Sequence, residues 1–177
     1  NYGLEANYED VFYNEGNDEI IFAIPYVDND VNESQDFSFE MTVGGVVSGL
    51  NYLTDDFIAN IDPLDTERIP VLQNPLNPVE VGKFLTSSTD VRLCGNDWIV
   101  LRLADVYLMH VEAIMAGQPS TQNLGAITSF NAVRERVGLS PIATDGSGEI
   151  TLEMLLNERR YELAFENHRF YDLVRTN

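Results

Sequence analysis

The 177-residue chain contains a single cysteine, Cys94, so no intrachain disulfide can staple it and cysteine pairing says nothing about its redox compartment. Cys94 is read as structural. Long apolar runs are missing too. The longest, Ile20-Ile21-Phe22-Ala23-Ile24, falls far short of the roughly 18 residues that a membrane-spanning helix needs. Positive charge is scarce: 10 Lys and Arg face 29 Asp and Glu, a net charge of −19. That balance excludes an electrostatic nucleic-acid binder and a binder of anionic membrane surfaces, and leaves neutral or cationic partners. The only two histidines, His110 and His168, lie in different segments with no second His or Cys nearby, so no metal site and no His-based triad is expected. A start Met and a basic-then-apolar leader are also lacking. The chain therefore reads as an excerpt whose targeting information lies outside it.

What is present suits one globular domain or part of one, since 44% of residues are apolar, enough for a real core. Charge divides the chain unevenly. Residues 1–97 hold 19 acids and 3 bases, and residues 98–177 hold 10 acids and 7 bases. Sixteen acids precede the first base, Arg68, so this stretch cannot neutralise itself and is expected to face water, cations or a missing part of the parent protein. Gly44-Gly45, Gly49, Pro63, Pro70, Pro75 and Pro78 make residues 1–97 a loop-rich acidic lobe. Within it, Glu19 to Ile24 reads as a short buried strand ended by Pro25. Thr54 reads as the N-cap of a short helix over Asp55 to Ile61, with two acids in the first turn where the helix dipole favours them.

Residues 98–177 read as a helical region by period. Leu101, Ala104, Leu108, Val111 and Met115 recur at three- and four-residue spacing over Ile99 to Ala116, with Leu103, Tyr107 and Ile114 as a second stripe. A second helix is expected from about Leu124 to Val137 with Gly138 as its stop, and a third from about Leu152 to Asn167, capped by Thr151. A tetratricopeptide-type hairpin needs a small residue where its helices cross and a large aromatic beside it. Leu103-Ala104 with Tyr107, and Ala126 with Phe130, fit that pattern, with an insertion around Gln118 to Asn123. The expected fold is mainly α: a tetratricopeptide-like hairpin plus one further helix, packed with a loop-rich lobe containing little strand. The two regions together make one partial domain.

Three blocks in order carry a resemblance. Leu101-Arg102-Leu103-Ala104-Asp105-Val106-Tyr107-Leu108-Met109 with Glu112-Ala113, then Asn131-Ala132-Val133-Arg134-Glu135-Arg136-Val137-Gly138-Leu139, then Glu158-Arg159-Arg160-Tyr161-Glu162-Leu163-Ala164-Phe165-Glu166-Asn167-His168-Arg169-Phe170-Tyr171-Asp172-Leu173-Val174-Arg175-Thr176 resemble the C-terminal signature of SusD/RagB-like outer-membrane nutrient-binding lipoproteins of Bacteroidetes. Asn17 to Ile24 is similar to the family's buried strand, and Asp65 to Arg68 to its D-x-R segment. Asn167 stands where the family has Gly; Asn tolerates the left-handed conformation, so the helix stop can survive. The resemblance implies a non-enzymatic protein with no cofactor. Such a protein sits on the outer leaflet of the outer membrane, anchored by a lipidated N-terminal segment absent from this chain. It would hold a glycan or similar nutrient for a TonB-dependent, SusC-like transporter. The alternative is a protein-interaction scaffold using the hairpin without a small ligand. Helices meant for absent repeats would leave an apolar face exposed, through which a homodimer of the fragment is expected.

Candidate sites follow from residue chemistry. Glu158, Glu162 and Glu166 lie among Arg159, Arg160 and Arg169, so ion-paired structural carboxylates are expected there rather than an acid–base pair. His168 is expected to tether a helix end to a loop. Asp28-x-Asp30-x-Asn32 starts like a calcium loop but has Glu33 in place of the turn Gly and Phe39 at the twelfth position, so a solvated acidic loop is preferred and no metal is assigned. Sugar sites need flat aromatic faces with amides and carboxylates nearby. Tyr26, Phe37, Phe39 and Tyr52, with Asn51 alongside, are the glycan-binding candidates. Trp98 is assigned to packing.

Overall fold

A computed structural model describes residues 1–49, 51–90 and 92–176. The first segment carries short elements: α1 (Asp10–Tyr13), β1 (Ile20–Ile24), α2 (Phe37–Met41), α3 (Val43–Ser48), α4 (Asp55–Ala59), α5 (Ile69–Leu72), β2 (Gln73–Asn74) and β3 (Asn77–Val81). Longer helices follow in the second: β4 (Trp98–Arg102), α6 (Leu103–Met115), β5 (Ser120–Thr121), α7 (Leu124–Arg136), β6 (Ile150–Thr151), α8 (Leu152–Glu162) and α9 (Arg169–Arg175). The fold is mainly α with little strand, as the sequence pattern requires.

The hairpin forms where the small-and-large pattern places it. Ala104 and Ala126 are fully buried, and Phe130 fills the space in the same cluster with Leu108, Val111 and Leu155. The starts of α7 and α8 are chemically specified. Asn123 accepts from the N–H groups of Gly125 and Ala126, and Thr151 from that of Met154, each satisfying donors that a helix N-terminus leaves orphaned. Thr54 does the same for α4 through Phe57 N. Gly138, at φ +75°, ends the second helix in the left-handed conformation glycine adopts freely. Where an insertion is expected, β5 pairs with β6, Ser120 opposite Thr151 and Thr121 opposite Ile150, clipping the hairpin's connection to the start of α8.

Three boundaries differ from the sequence expectation. Trp98 to Arg102 is strand, not the first turns of a helix, because this aromatic and β-branched run pairs antiparallel with β1, Ala23 opposite Ile99 and Ile24 opposite Trp98. β1 is not a buried strand: Phe22 and Ile24 are 56% and 43% exposed, since the ribbon has two strands and protein covers one of its faces. The third helix stops at Glu162 rather than Asn167. Leu163 is its C-cap, and Phe165 and Asn167 beyond it both take φ +66°, which no α-helix accommodates; Asn167 is left-handed as expected but lies in the turn after the helix rather than at its stop. Hydrophobic clusters join the two segments: Leu53, Phe57, Leu72 and Phe84 pack with Tyr161 and Ala164, and Tyr8 and Val71 with Val137 and Leu139.

Candidate functional site

The polar block at the end of α8 is ion-paired, but not with its sequence neighbours. Arg102 is the hub. Its Nε donates to Glu166 Oε2 at 2.7 Å, its Nη1 to Glu19 Oε1 at 2.7 Å and Glu162 Oε1 at 2.6 Å, and its Nη2 to Glu162 O at 2.6 Å and Glu166 Oε1 at 2.9 Å. All five guanidinium N–H donors are thereby used. Arg136 adds bonds to Glu19 and Glu162, Arg68 to Asp65, Glu158 and Glu162, Lys83 to Glu166 and Arg134 to Glu158. Arg159 faces elsewhere, to Asp105 and Asp172, and Arg160 reaches Asp56. Five acids and five bases thus close a neutral network whose members are largely shielded from water.

Electrostatics favour the charged forms of Glu162, Glu166, Arg68 and Arg102, whereas burial raises the Asp65 carboxyl against the pull of Arg68. Burial alone raises the Glu162 carboxyl, but Arg136, Arg102 and Arg68 outweigh it and hold the group well below the usual carboxylate range. Glu166 is likewise held low by Arg102 and Lys83 against its burial. Burial pushes the Lys83 ammonium down to about 8, against the opposing pull of Glu166. These are structural ions, not a carboxylic acid poised to give up a proton. The expectation that the acidic first segment must face solvent or a missing partner is corrected at Glu19, which is fully buried and neutralised by bases of the second segment.

Beside the network opens a cleft of about 610 Å³. Phe12 and Tyr13 of α1, Tyr26 beyond β1 and Phe84 beyond β3 give it aromatic walls; Glu15, Asp28, Ser87, Asn96 and Asp97 add polar groups, and Lys83 lies beneath. Local hydrogen bonds fix these side chains. Tyr26 N donates to Asp97 Oδ1 at 3.0 Å, Gly95 N to Asp28 Oδ1 at 2.5 Å, and Ser87 Oγ to Asp28 Oδ2 at 2.7 Å. The Tyr13 hydroxyl donates to Gly82 O. Gly95 is demanded by space: a Cβ there would lie 2.4 Å from Asp28 N. Behind Tyr26, Phe37 stands edge-on at 6.0 Å and packs on Trp98 and Phe84 at 5.1 and 5.4 Å, so the wall is buttressed by an aromatic stack. Trp98 is a packing residue within it.

The structure separates the five sequence candidates. Tyr26 lines the cleft and Phe37 supports it from behind. Phe39 lies under the Arg92 guanidinium at 4.2 Å and packs against Gly44, where a Cβ would come within 2.3 Å of its ring. Asn51 and Tyr52 are exposed beyond α3, on a strap tied by Leu53 N to Val79 O at 3.0 Å, and like Phe39 do not line the cleft. Phe12, Tyr13 and Phe84 were not singled out as ligand contacts by the sequence. Their one signal there is aromatic side chains among Asn, Gly and Ser rather than inside a periodic apolar run.

The remaining polar motifs resolve locally. Asp30 Oδ1 accepts from Asn32 N and Glu33 N at 2.7 and 3.1 Å, an Asx-type turn, while Asp28 is committed to Gly95 and Ser87. Among the described residues no group of three or more His, Cys, Asp or Glu is arranged to hold a metal. His110 Nδ1 meets Ser129 Oγ at 2.8 Å across the hairpin. His168 occupies the N-cap position of α9 without a side-chain capping bond, so it makes no such tether.

A model of the SusD family matches residues 79–177. A SusD-like protein of Bacteroides ovatus is 36% identical over 75 residues, which cover 42% of this chain and 13% of that protein. The fold is similar to that of surface glycan-binding protein A from Bacteroides thetaiotaomicron, with a TM-score of 0.75 at 20% identity, covering 99% of this chain and 46% of that one. It is also similar to that of a laminarin-binding SusD-like protein, with a TM-score of 0.64 at 25% identity and the same coverage. The chain thus spans less than half the length of these solved structures.

Proposed function

Since this chain belongs to the SusD family, we propose that its parent protein binds a glycan at the cell surface and that the aromatic-walled cleft contributes the site. The cleft carries this reading: about 610 Å³ lies within the range of ligand pockets, and flat rings beside carboxylate and amide groups suit the apolar faces and hydroxyls of a sugar. Fold neighbours whose names state glycan and laminarin binding support it. Tyr26 is the first contact, with Tyr13 and Phe12 as further stacking surfaces and Phe37 as a buttress. Phe39, Asn51 and Tyr52 are kept as candidates outside the cleft on the same acidic segment.

Binding without chemistry completes the proposal. The carboxylates of the α8 block are paired with arginines and Lys83, and Asp28 and Asp97 each hold a backbone N–H while keeping further acceptor sites for sugar hydroxyls, which supports holding the glycan rather than cleaving it. The parent protein is placed on the outer leaflet of the outer membrane by a lipid anchor in its N-terminal segment, and passes its ligand to a TonB-dependent, SusC-like transporter. Isothermal titration of the intact parent protein against a glycan panel tests the binding. Tyr26→Ala should weaken it at least tenfold, about 1.4 kcal/mol; if Tyr52→Ala does so instead, the site belongs to the exposed strap. Product analysis of any bound glycan should show no hydrolysis.

A second reading, a protein-interaction surface, is favoured by α9, where Phe170, Tyr171 and Val174 are exposed. Such an apolar face would pair two copies of the fragment. Light scattering of the fragment should give a dimer, reverting to monomer in Phe170→Ser/Val174→Ser, and a clean monomer of the unaltered chain at high concentration would end that reading.

A further inference from the structure

We infer that the cleft takes glycans free of carboxylate and sulfate groups and discriminates against acidic ones. The inference rests on the cleft being the glycan site and goes beyond it to the charge class of the ligand. Recognition of a uronate or a sulfated sugar requires a cation free to meet the anion. Among the described lining residues the cleft holds one base, Lys83, against three acids, Glu15, Asp28 and Asp97. Lys83 is already spent. Its Nζ donates to Glu166 Oε1 at 2.6 Å and Glu162 O at 3.0 Å, it lies over the Phe12 and Tyr8 rings at 4.6 and 5.2 Å, and its side chain has no exposed surface. Two of the three donors of the ammonium are spent on these bonds, and the buried Nζ presents no accessible surface to an anion in the cleft.

The bases behind Lys83 are also turned inward: Arg102 uses all five donors within the network, Arg68 pairs with Asp65, Glu158 and Glu162, and Arg136 pairs with Glu19 and Glu162 through its Nη atoms while its Nε is buried without a partner among the described residues. That network is neutral, so the residues outside it carry the whole net charge of −19. A cleft in such a surface focuses a repulsive field on an incoming anion. Neutral sugars escape that repulsion and still find the carboxylates, which accept hydrogen bonds from hydroxyls.

The test is titration of the intact parent protein with two matched sets of oligosaccharides. One is neutral, comprising gluco-, xylo- and manno-oligosaccharides with laminarihexaose among them. The other is acidic, comprising oligogalacturonates and sulfated galactan oligosaccharides. Each is measured at about 0.01 M and about 1 M ionic strength, where the Debye length falls from about 30 to about 3 Å. The expected result is a neutral ligand whose affinity is lowered by Tyr26→Ala and by Tyr13→Ala. The best acidic ligand should bind at least about tenfold more weakly at low salt, with a gap that closes as salt rises. Glu15→Gln/Asp97→Asn should raise acidic binding relative to neutral. An acidic ligand that binds as tightly as any neutral one at low salt and depends on Tyr26 overturns the inference and leaves the glycan reading standing. Binding of either class untouched by both tyrosine variants moves the site out of the cleft and ends the inference. Absence of binding across both sets overturns the glycan reading and the inference together.

Discussion

Replacing Arg102 by Ala removes five hydrogen bonds at once, to Glu19, Glu162 and Glu166. Its surroundings cannot compensate, because Arg102 and the Glu162 side chain are about 1% and 0% exposed. Breaking one buried ion pair from one side costs about 3–5 kcal/mol. Three carboxylates lose a partner here, although Arg136, Arg68 and Lys83 still neutralise part of their charge, so a loss of at least about 4 kcal/mol is expected. Against a total of roughly 5–15 kcal/mol and an m value near 2 kcal/mol per molar urea, the unfolding midpoint of the parent protein should fall by about 2 M. Arg102→Lys keeps the charge but offers three donors instead of five, and should lie between the two. A pH series separates stranded charge from a mere cavity. Once Arg102 is gone, burial raises the carboxyl pKa values and protonation relieves the penalty, so the gap between variant and wild type should narrow from pH 7 to pH 5. A midpoint shift under about 0.3 M, or a gap of the same size at every pH, would refute the reasoning, since volume loss alone is blind to pH.

Other expectations follow from single contacts. Glu162 and Glu166 are buried yet held below the ordinary carboxylate range by Arg136, Arg102, Arg68 and Lys83. Their folded pKa values are depressed, so the stability they confer is present above the unfolded value of about 4.3 and is lost as pH falls below it; urea midpoints flat between pH 6 and pH 3 would contradict this. Gly95→Ala drives a Cβ to 2.4 Å from Asp28 N and should shift the 26–30 loop, weakening neutral glycan binding at least threefold by titration calorimetry; unchanged affinity would detach that loop from the site. Thr151→Ala removes the acceptor for Met154 N and should cost about 1 kcal/mol in urea unfolding, with Thr151→Ser recovering most of it.

Helices and their caps were legible because their signals are local. Ala104, Ala126 and Phe130 lie at helical spacing, and Thr151 and Thr54 stand immediately before the turns they cap. The β4–α6 boundary was not, because Leu101, Leu103 and Ala104 continue one apparent apolar pattern across it and only pairing with β1 distinguishes strand from helix. Ion partners failed for a geometric reason. Glu158 and Arg159 are adjacent in sequence but about 100° apart around a helix of 3.6 residues per turn, so Glu158 turns to Arg68 and Arg134 while Arg159 turns to Asp105 and Asp172. The cleft was legible only at Tyr26. Its other rings, Phe12, Tyr13 and Phe84, arrive from segments far apart in sequence, and no local pattern announces that the fold brings them to one wall.

The network around Arg102 also sets an order of events in time. Its contacts span 83 residues to Glu19, 60 to Glu162 and 64 to Glu166, so few of its bonds can form from short-range encounters. A chain emerging amino end first exposes Glu19, Arg68, Lys83, Arg102 and Arg136 while the residues that complete the ring, Glu158, Glu162 and Glu166, are still to be synthesised. Until they arrive, these bases carry a surplus that water must solvate. Residues 158–166 therefore act as a latch: nascent chains stopped before Glu158 should stay protease-sensitive throughout, whereas chains extended past Glu166 bring both segments to rest together.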